Sequence, residues 1–111
     1  MIDQLRRLAE IDPELCRVRC EEMGETRISI YHLDCFRMVA YFQERKPELF
    51  KGAEDIIQVA LQAAIERRGW DFELVYWPLR KRYACEVQDK RATADSAAAA
   101  MLAAYIKALE A

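Results

Sequence analysis

The sequence AEDIIQVALQAAIERRG at residues 53–69 is followed at residues 70–87 by WDFELVYWPLRKRYACEV, and the change of pattern between them decides the fold. In the first segment the apolar positions are 53, 56, 57, 60, 61 and 64, a spacing typical of a helix with one buried face. Acidic residues open the segment and arginines close it, which suits the helix dipole, and Gly69 can adopt the left-handed conformation that often follows a helix. We therefore predict a helix over residues 53–68.

After Gly69 the apolar residues recur at every second position, which is the spacing of a strand with one buried face. One face of this strand would carry Trp70, Phe72, Leu74 and Tyr76. The other face would carry Asp71, Glu73, Val75 and Trp77. Pro78 lacks a backbone N–H and ends the strand, residues 79–81 turn the chain, and residues 82–88 alternate again. The segment thus predicts a β-hairpin.

The segments on either side predict further helices and strands. Residues 2–9 have the apolar spacing of a short helix, which Asp12-Pro13 interrupts. Residues 15–33 alternate on both sides of a turn-like centre and predict a first hairpin. Residues 93–110 are rich in alanine and predict a second long helix, with Thr93 as its N-cap.

Residues 34–50 fit two structures. A helical turn capped by Asp34 would place Phe36, Val39 and Ala40 on one face, whereas a strand would place Phe36, Met38, Ala40 and Phe42 on one face. The run is too short for its periodicity to decide between them. We favour a strand-like or irregular segment that ends at the polar residues 43–47.

These elements predict one α+β domain over residues 1–111, with the order α-ββ-(x)-α-ββ-α. Its core would be a mostly antiparallel sheet of four to five strands, flanked by the helices at 53–68 and 93–110. A chain of 111 residues is long enough to bury such a core.

Composition limits the classes of function. The net charge of −2 and the pI of about 5.5 give no overall attraction to nucleic acid or anionic lipid. No apolar run is long enough to span a bilayer, and the first residues lack the apolar core of a secretory signal. We therefore expect a cytoplasmic protein without membrane association, whose four cysteines are thiols.

A resemblance to a known family covers about half of the chain. The helix end Glu66-Arg67-Arg68-Gly69-Trp70, the hairpin between Phe72 and Val87, and the alanine-rich tail from Ala92 to Leu109 resemble the small phage and prophage proteins called phage ABA sandwich domains. These are packing features and carry no chemistry. The resemblance implies a bacteriophage or mobile-element origin and an antiparallel sheet covered by helices, and it implies no site residues.

Only one group of residues has the composition of a metal site. Cys16, Cys20, His32 and Cys35 are ligand types that could hold zinc. If residues 15–22 form a strand, however, Cys16 and Cys20 lie roughly 13 Å apart along it. We therefore favour structural thiols and predict neither a metal site nor a cofactor.

The best candidate for a binding surface is the end of the second hairpin. Arg80, Lys81 and Arg82 form its basic tip, Trp77 precedes them, and Lys90 and Arg91 follow the second strand. Cationic groups beside an aromatic ring suit phosphates and unstacked bases. The same charges could instead serve only to keep a sheet edge soluble. Glu73 and Glu86 on the same hairpin argue against nucleic acid.

The face that carries Val75 and Trp77 has two possible roles. It could be buried under the N-terminal helix, or it could contact a partner, in which case we expect a two-fold homodimer. With a single His and no phosphate-binding loop, the sequence offers no catalytic group to activate. We therefore expect a non-catalytic, phage-type accessory protein that binds a protein partner or a second copy of itself. Nucleic-acid binding through Arg80, Lys81 and Arg82 is the alternative.

Overall fold

The computed structural model describes residues 2–22, 25–32, 37–42 and 50–111. Within these ranges the chain forms three helices and six strands. In chain order they are α1 (Ile2–Ile11), β1 (Cys16–Glu22), β2 (Glu25–His32), β3 (Arg37–Phe42), α2 (Phe50–Arg67), β4 (Phe72–Trp77), β5 (Arg82–Val87), β6 (Lys90–Ala94) and α3 (Ala97–Glu110).

The described strands form two antiparallel sheets, an N-terminal sheet of order β1-β2-β3 and a C-terminal sheet of order β4-β5-β6. Helices lie between the sheets. α3 packs against β5 and β6, α2 against α3, β2 and β3, and α1 against β1 and α3. The predicted α+β class with antiparallel strands is confirmed. The strand arrangement differs, because the strands divide between two sheets on opposite sides of the helices instead of forming one sheet of four to five.

The predicted change from helix to hairpin at Gly69 is confirmed. α2 ends at Arg67, and Gly69 has a φ of 69°, the left-handed conformation that glycine adopts without a steric cost. β4 then pairs with β5 along its whole length, with Trp77 opposite Arg82 beside the turn. The helix itself begins at Phe50, earlier than the predicted residue 53.

The third strand of the C-terminal sheet replaces the predicted start of the last helix. Gln88 and Asp89 have φ values of 48° and 68°, so a two-residue turn returns the chain and pairs Lys90 with Val87. Thr93 was predicted to cap the helix, but it lies in β6 opposite Ala84. The helix starts only at Ala97, after strand pairing has ended. Ser96 is its N-cap, and the Oγ atom of Ser96 accepts a hydrogen bond from the Ala99 N–H at 3.2 Å.

The N-terminal half follows the prediction where the structure describes it. α1 extends to Ile11, and β1 and β2 form the predicted first hairpin, with Cys16 opposite Ile30. Within the ambiguous residues 34–50, residues 37–42 are the strand β3, which is the favoured alternative. The predictions for residues 34–36 and 43–49 lie outside the described residues.

Tyr105 on α3 connects three segments of the chain. It is among the largest side chains that the fold buries completely. Its hydroxyl accepts a hydrogen bond from Arg68 Nε at 3.1 Å and donates one to Asp12 Oδ2 at 3.3 Å. The Trp70 ring lies 6.1 Å from the Tyr105 ring, and the Arg68 guanidinium lies 5.0 Å from the centre of the Trp70 ring. The ends of α1 and α2 are thereby attached to the middle of α3.

Two of the four cysteines are buried thiols in the described strands. Cys16 in β1 and Cys85 in β5 are free and belong to the hydrophobic core. Burial raises the pKa of Cys16 to about 12, with a smaller contribution from Asp12, and burial raises the pKa of Cys85 to about 11. Both thiols therefore stay protonated at neutral pH.

Replacing Tyr105 by Phe should lower the free energy of unfolding by about 1–2 kcal/mol, because both hydrogen bonds of the hydroxyl are lost. Urea denaturation measures the change. Tyr83→Phe is the matched control, since the described residues give the Tyr83 hydroxyl no hydrogen-bond partner, and it should leave stability unchanged. Equal stability of wild type and Tyr105→Phe would contradict the importance of this contact.

The raised pKa of Cys85 predicts a loss of stability at alkaline pH. Above the ordinary pKa of 9.0 the unfolded chain releases a thiol proton that the folded chain keeps up to about pH 11, so unfolding becomes easier as the pH rises. Each such thiol contributes a slope of up to about 1.4 kcal/mol per pH unit. Urea denaturation across this range should show a smaller decline for Cys85→Ala than for wild type. If the free energy of unfolding falls equally with pH in both proteins, the ionisation of the Cys85 thiol is not coupled to folding.

Candidate interaction surface

The C-terminal sheet has one face in the core and one face toward solvent. Phe72, Leu74, Cys85 and Val87 lie on the inner face and pack into the core. We call the opposite side the outer face, and it consists of Glu73, Val75, Trp77, Arg82, Ala84, Glu86, Arg91 and Thr93. Its residues form cross-strand rows. Trp77 lies opposite Arg82 in one row, Val75, Ala84 and Thr93 form the middle row, and Glu73, Glu86 and Arg91 form the third.

Trp77 is the centre of a cluster on the outer face. The Cζ atoms of Arg80 and Arg91 lie 5.5 Å and 5.6 Å from the centre of its ring, within the range of cation–π attraction. Arg91 is two strands away from Trp77, roughly 16 Å between backbones. The two side chains therefore meet across the middle row, where Ala84 is only 2% exposed. In the described chain the α1 helix packs against β1 and α3. The outer face is therefore not buried under the N-terminal helix, which was one of the two predicted possibilities.

The turn between β4 and β5 projects beyond this cluster. We call residues 78–81 the hairpin tip. Its backbone is closed by hydrogen bonds from the Arg80 N–H to the Trp77 carbonyl at 3.2 Å and from the Lys81 N–H to the Pro78 carbonyl at 3.4 Å. Leu79 at the apex is fully exposed. The tip therefore presents an apolar side chain next to two cationic ones.

The six residues predicted for the binding surface are only partly brought together. Trp77, Arg80 and Arg91 form the cluster, and Lys81 is exposed beside it on the tip. Arg82 instead pairs with Asp95, with 2.8 Å between Arg82 Nη1 and Asp95 Oδ1. Lys90 starts β6 opposite Val87, in the part of the sheet remote from the tip.

An acidic depression lies at the other end of the outer face. We call it the acidic hollow. It has a volume of about 250 Å³ and is lined by Asp71, Phe72, Glu73, Glu86, Gln88 and Asp89. Glu73 and Glu86 are cross-strand neighbours, a pairing of like charges that disfavours the sheet. Within the described part of the chain none of the four carboxylates of the hollow forms an ion pair.

Residues 71–96 carry no net charge. They contain five cationic side chains (Arg80, Lys81, Arg82, Lys90, Arg91) and five anionic ones (Asp71, Glu73, Glu86, Asp89, Asp95). The signs are unevenly distributed along the strands: Arg80, Lys81 and Arg82 outnumber Asp95 at the tip end, and the four carboxylates of the hollow outnumber Lys90 and Arg91 at the other end. The surface is thus dipolar, and it lacks the uniform positive field of most nucleic-acid interfaces.

The residues of the possible zinc site are spread along the first hairpin. Cys16 lies opposite Ile30 and Cys20 opposite Arg27, so Cys20 in β1 lies beside the start of β2, whereas His32 is at the end of β2. Cys35 lies outside the described residues. No cluster of three or more potential metal ligands occurs among the residues that the structure describes. Likewise, none of the helices in the described ranges has the length and apolar character that crossing a bilayer requires.

Comparison of the chain with protein-family models, with curated proteins and with solved structures finds no match. The resemblance to phage ABA sandwich domains therefore stays a prediction based on the C-terminal half of the sequence.

Removing the contact between Arg91 and Trp77 should destabilise the fold slightly. We expect Arg91→Gln to lower the free energy of unfolding by about 0.5–1 kcal/mol, because the guanidinium leaves the Trp77 ring. Lys90→Gln is the matched control, since it removes the same charge at the neighbouring position without a contact to Trp77. Urea denaturation of the two variants measures the difference. If both variants lose the same stability, net charge and not the ring contact is responsible.

Proposed function

We propose that the protein is a non-catalytic, cytoplasmic accessory protein of phage or prophage type that binds a protein partner through the outer face and the hairpin tip. The observation that carries this proposal is the cluster of Trp77, Arg80 and Arg91 beside the exposed Leu79. Tryptophan and arginine are the residues that most often dominate the binding energy of protein interfaces. The inner face of the same sheet is filled by the core, so the outer face is available for a partner.

The charge distribution favours a protein over nucleic acid. The region 71–96 has five cationic and five anionic side chains. Positive charge is in excess at the tip end and negative charge at the hollow end. A phosphate backbone placed along the outer face would pass Glu73 and Glu86 as well as the arginines. Arg82, one of the three basic residues predicted to hold phosphates, is already paired with Asp95. A partner surface with both signs of charge fits this arrangement better.

The chemistry of the described side chains supports a role without catalysis. The thiols of Cys16 and Cys85 are buried and their pKa values are raised, so little nucleophilic thiolate exists at neutral pH. The carboxylates of the acidic hollow are open to solvent at the sheet surface. The buried thiols are therefore not the activated nucleophiles that covalent catalysis uses.

Nucleic-acid binding is the second candidate, and one observation favours it. Two guanidiniums lie beside the Trp77 ring, and Lys81 is exposed on the adjacent tip. Aromatic rings next to cations can stack on unpaired bases. If this candidate were correct, labelled single-stranded DNA or RNA would bind at low salt, and the affinity would fall steeply as salt is added.

Affinity capture tests the proposal. Immobilised wild-type protein and the variants Trp77→Ser and Tyr76→Ser are exposed to extract of a phage-infected bacterium, and retained proteins are identified by mass spectrometry. Tyr76 is the matched control, because it is the adjacent aromatic residue and its register places it on the opposite face of β4. We expect a partner that wild type and Tyr76→Ser retain and that Trp77→Ser loses. Retention that does not depend on Trp77, or binding only to oligonucleotides, would reject the proposal.

A further inference from the structure

We infer that the partner of the outer face is a second copy of this chain, in a two-fold dimer that places the hairpin tip of each copy in the acidic hollow of the other. This inference rests on the proposed function, since it identifies the protein that the outer face binds. Its basis is the complementarity between two features of one face, a basic projecting tip and an acidic depression.

Tip and hollow cannot meet within one chain. They lie at opposite ends of the same hairpin, separated by the 6 residues of β4, which span roughly 17 Å. The β4–β5 pairing is continuous from Phe72 to Trp77 and holds this separation. Only another copy can bring a tip to a hollow.

The register of the sheet fixes the symmetry that achieves this. A two-fold axis parallel to the sheet and across the strands, above the middle row of Val75, Ala84 and Thr93, places two outer faces against each other. This rotation places each strand of one copy over the same strand of the other copy, with the two strands running in opposite directions. Trp77 beside the tip and Glu73 in the hollow are equally distant from the axis, because each is two residues from Val75 in β4. A single closed contact therefore pairs both tips with both hollows.

The row of Trp77 and Arg82 in one copy then faces the row of Glu73, Glu86 and Arg91 in the other, and the middle row faces itself. Glu73 of the second copy lies above Trp77, where the guanidiniums of Arg80 and Arg91 are located. Glu86 of the second copy lies above Arg82. Arg80 and Lys81 on the tip approach the carboxylates of Asp71 and Asp89 in the second hollow. Arg80, Lys81 and the carboxylates of the hollow, which form no ion pair within the described part of the chain, thus acquire partners of opposite sign.

The apolar residues fit the same arrangement. The Val75 side chains of the two copies meet at the axis, and the Trp77 rings lie on either side of them. The tip brings Leu79, which is fully exposed in the single chain, to the hollow of the second copy, where Phe72 is the apolar residue of the lining. An apolar centre with a charged rim is the usual composition of a specific interface.

Charge reversal tests the dimer. Sedimentation equilibrium of the wild-type protein should give twice the 13.0 kDa mass of the chain. A tip variant (Arg80→Glu with Lys81→Glu) and a hollow variant (Asp71→Lys with Glu73→Lys) should each weaken dimerisation at least about tenfold, because like charges then face each other. An equimolar mixture of the two variants should form a heterodimer, visible by native mass spectrometry. The chain carrying all four substitutions should dimerise with itself.

A control variant and two outcomes separate this inference from the proposed function. Glu14→Lys with Asp55→Lys makes the same charge change on exposed residues outside the C-terminal sheet and should leave the dimer intact. A wild-type chain that stays monomeric, or a dimer that neither reversal weakens, would overturn the inference. If that monomer still retains another protein in a manner that depends on Trp77, the proposed function stands and only self-association is wrong.

Discussion

The buried hydroxyl of Tyr105 constrains the whole structure. A polar group inside a hydrophobic core must be hydrogen-bonded, because an unsatisfied one costs about 1–3 kcal/mol. The Tyr105 hydroxyl has two partners, Asp12 after α1 and Arg68 after α2. Both partners are polar residues at helix ends, so α1 and α2 must end at the same place against the middle of α3. That requirement determines how the three helices pack and which sides of them remain for the sheets.

The position of α3 in turn defines the candidate interaction surface. Its buried residues contact the core, and the inner face of the C-terminal sheet covers it through Cys85, Val87 and Ala92. The outer face then has no role in enclosing the core. An exposed leucine and carboxylates that form no ion pair in the described chain are unfavourable or neutral for folding, and each cation–π contact of Trp77 stabilises it by only about 1 kcal/mol. Their occurrence together on a face that the core does not use is what connects the fold to the proposed function.

The sequence predicts what depends on local pattern and misses what depends on register. The helix–hairpin change at Gly69 is local, since it needs only apolar spacing and one glycine with positive φ. β6 was missed because its turn uses Gln88 and Asp89, neither of them glycine, in the left-handed conformation, and because its composition resembles the helix that follows. The Arg91–Trp77 contact and the acidic hollow join residues from different strands, so they could be found only once the strand pairing was known. The signal in the sequence that could have predicted this turn is the pair Asp89-Lys90, which follows the strand ending at Val87.

The two sheets form separate hydrogen-bonded ladders in the described chain, and helices alone connect them. A change in the hydrogen bonding of one sheet therefore reaches the other sheet through side-chain packing. Packed side chains accommodate a small shift of a strand better than a continuous row of backbone hydrogen bonds does. Sequence drift in β1, β2 and β3 can accordingly accumulate while the spacing of side chains on β4, β5 and β6 is preserved. The C-terminal sheet, for which we propose a partner, and the N-terminal sheet are to that extent free to evolve at different rates.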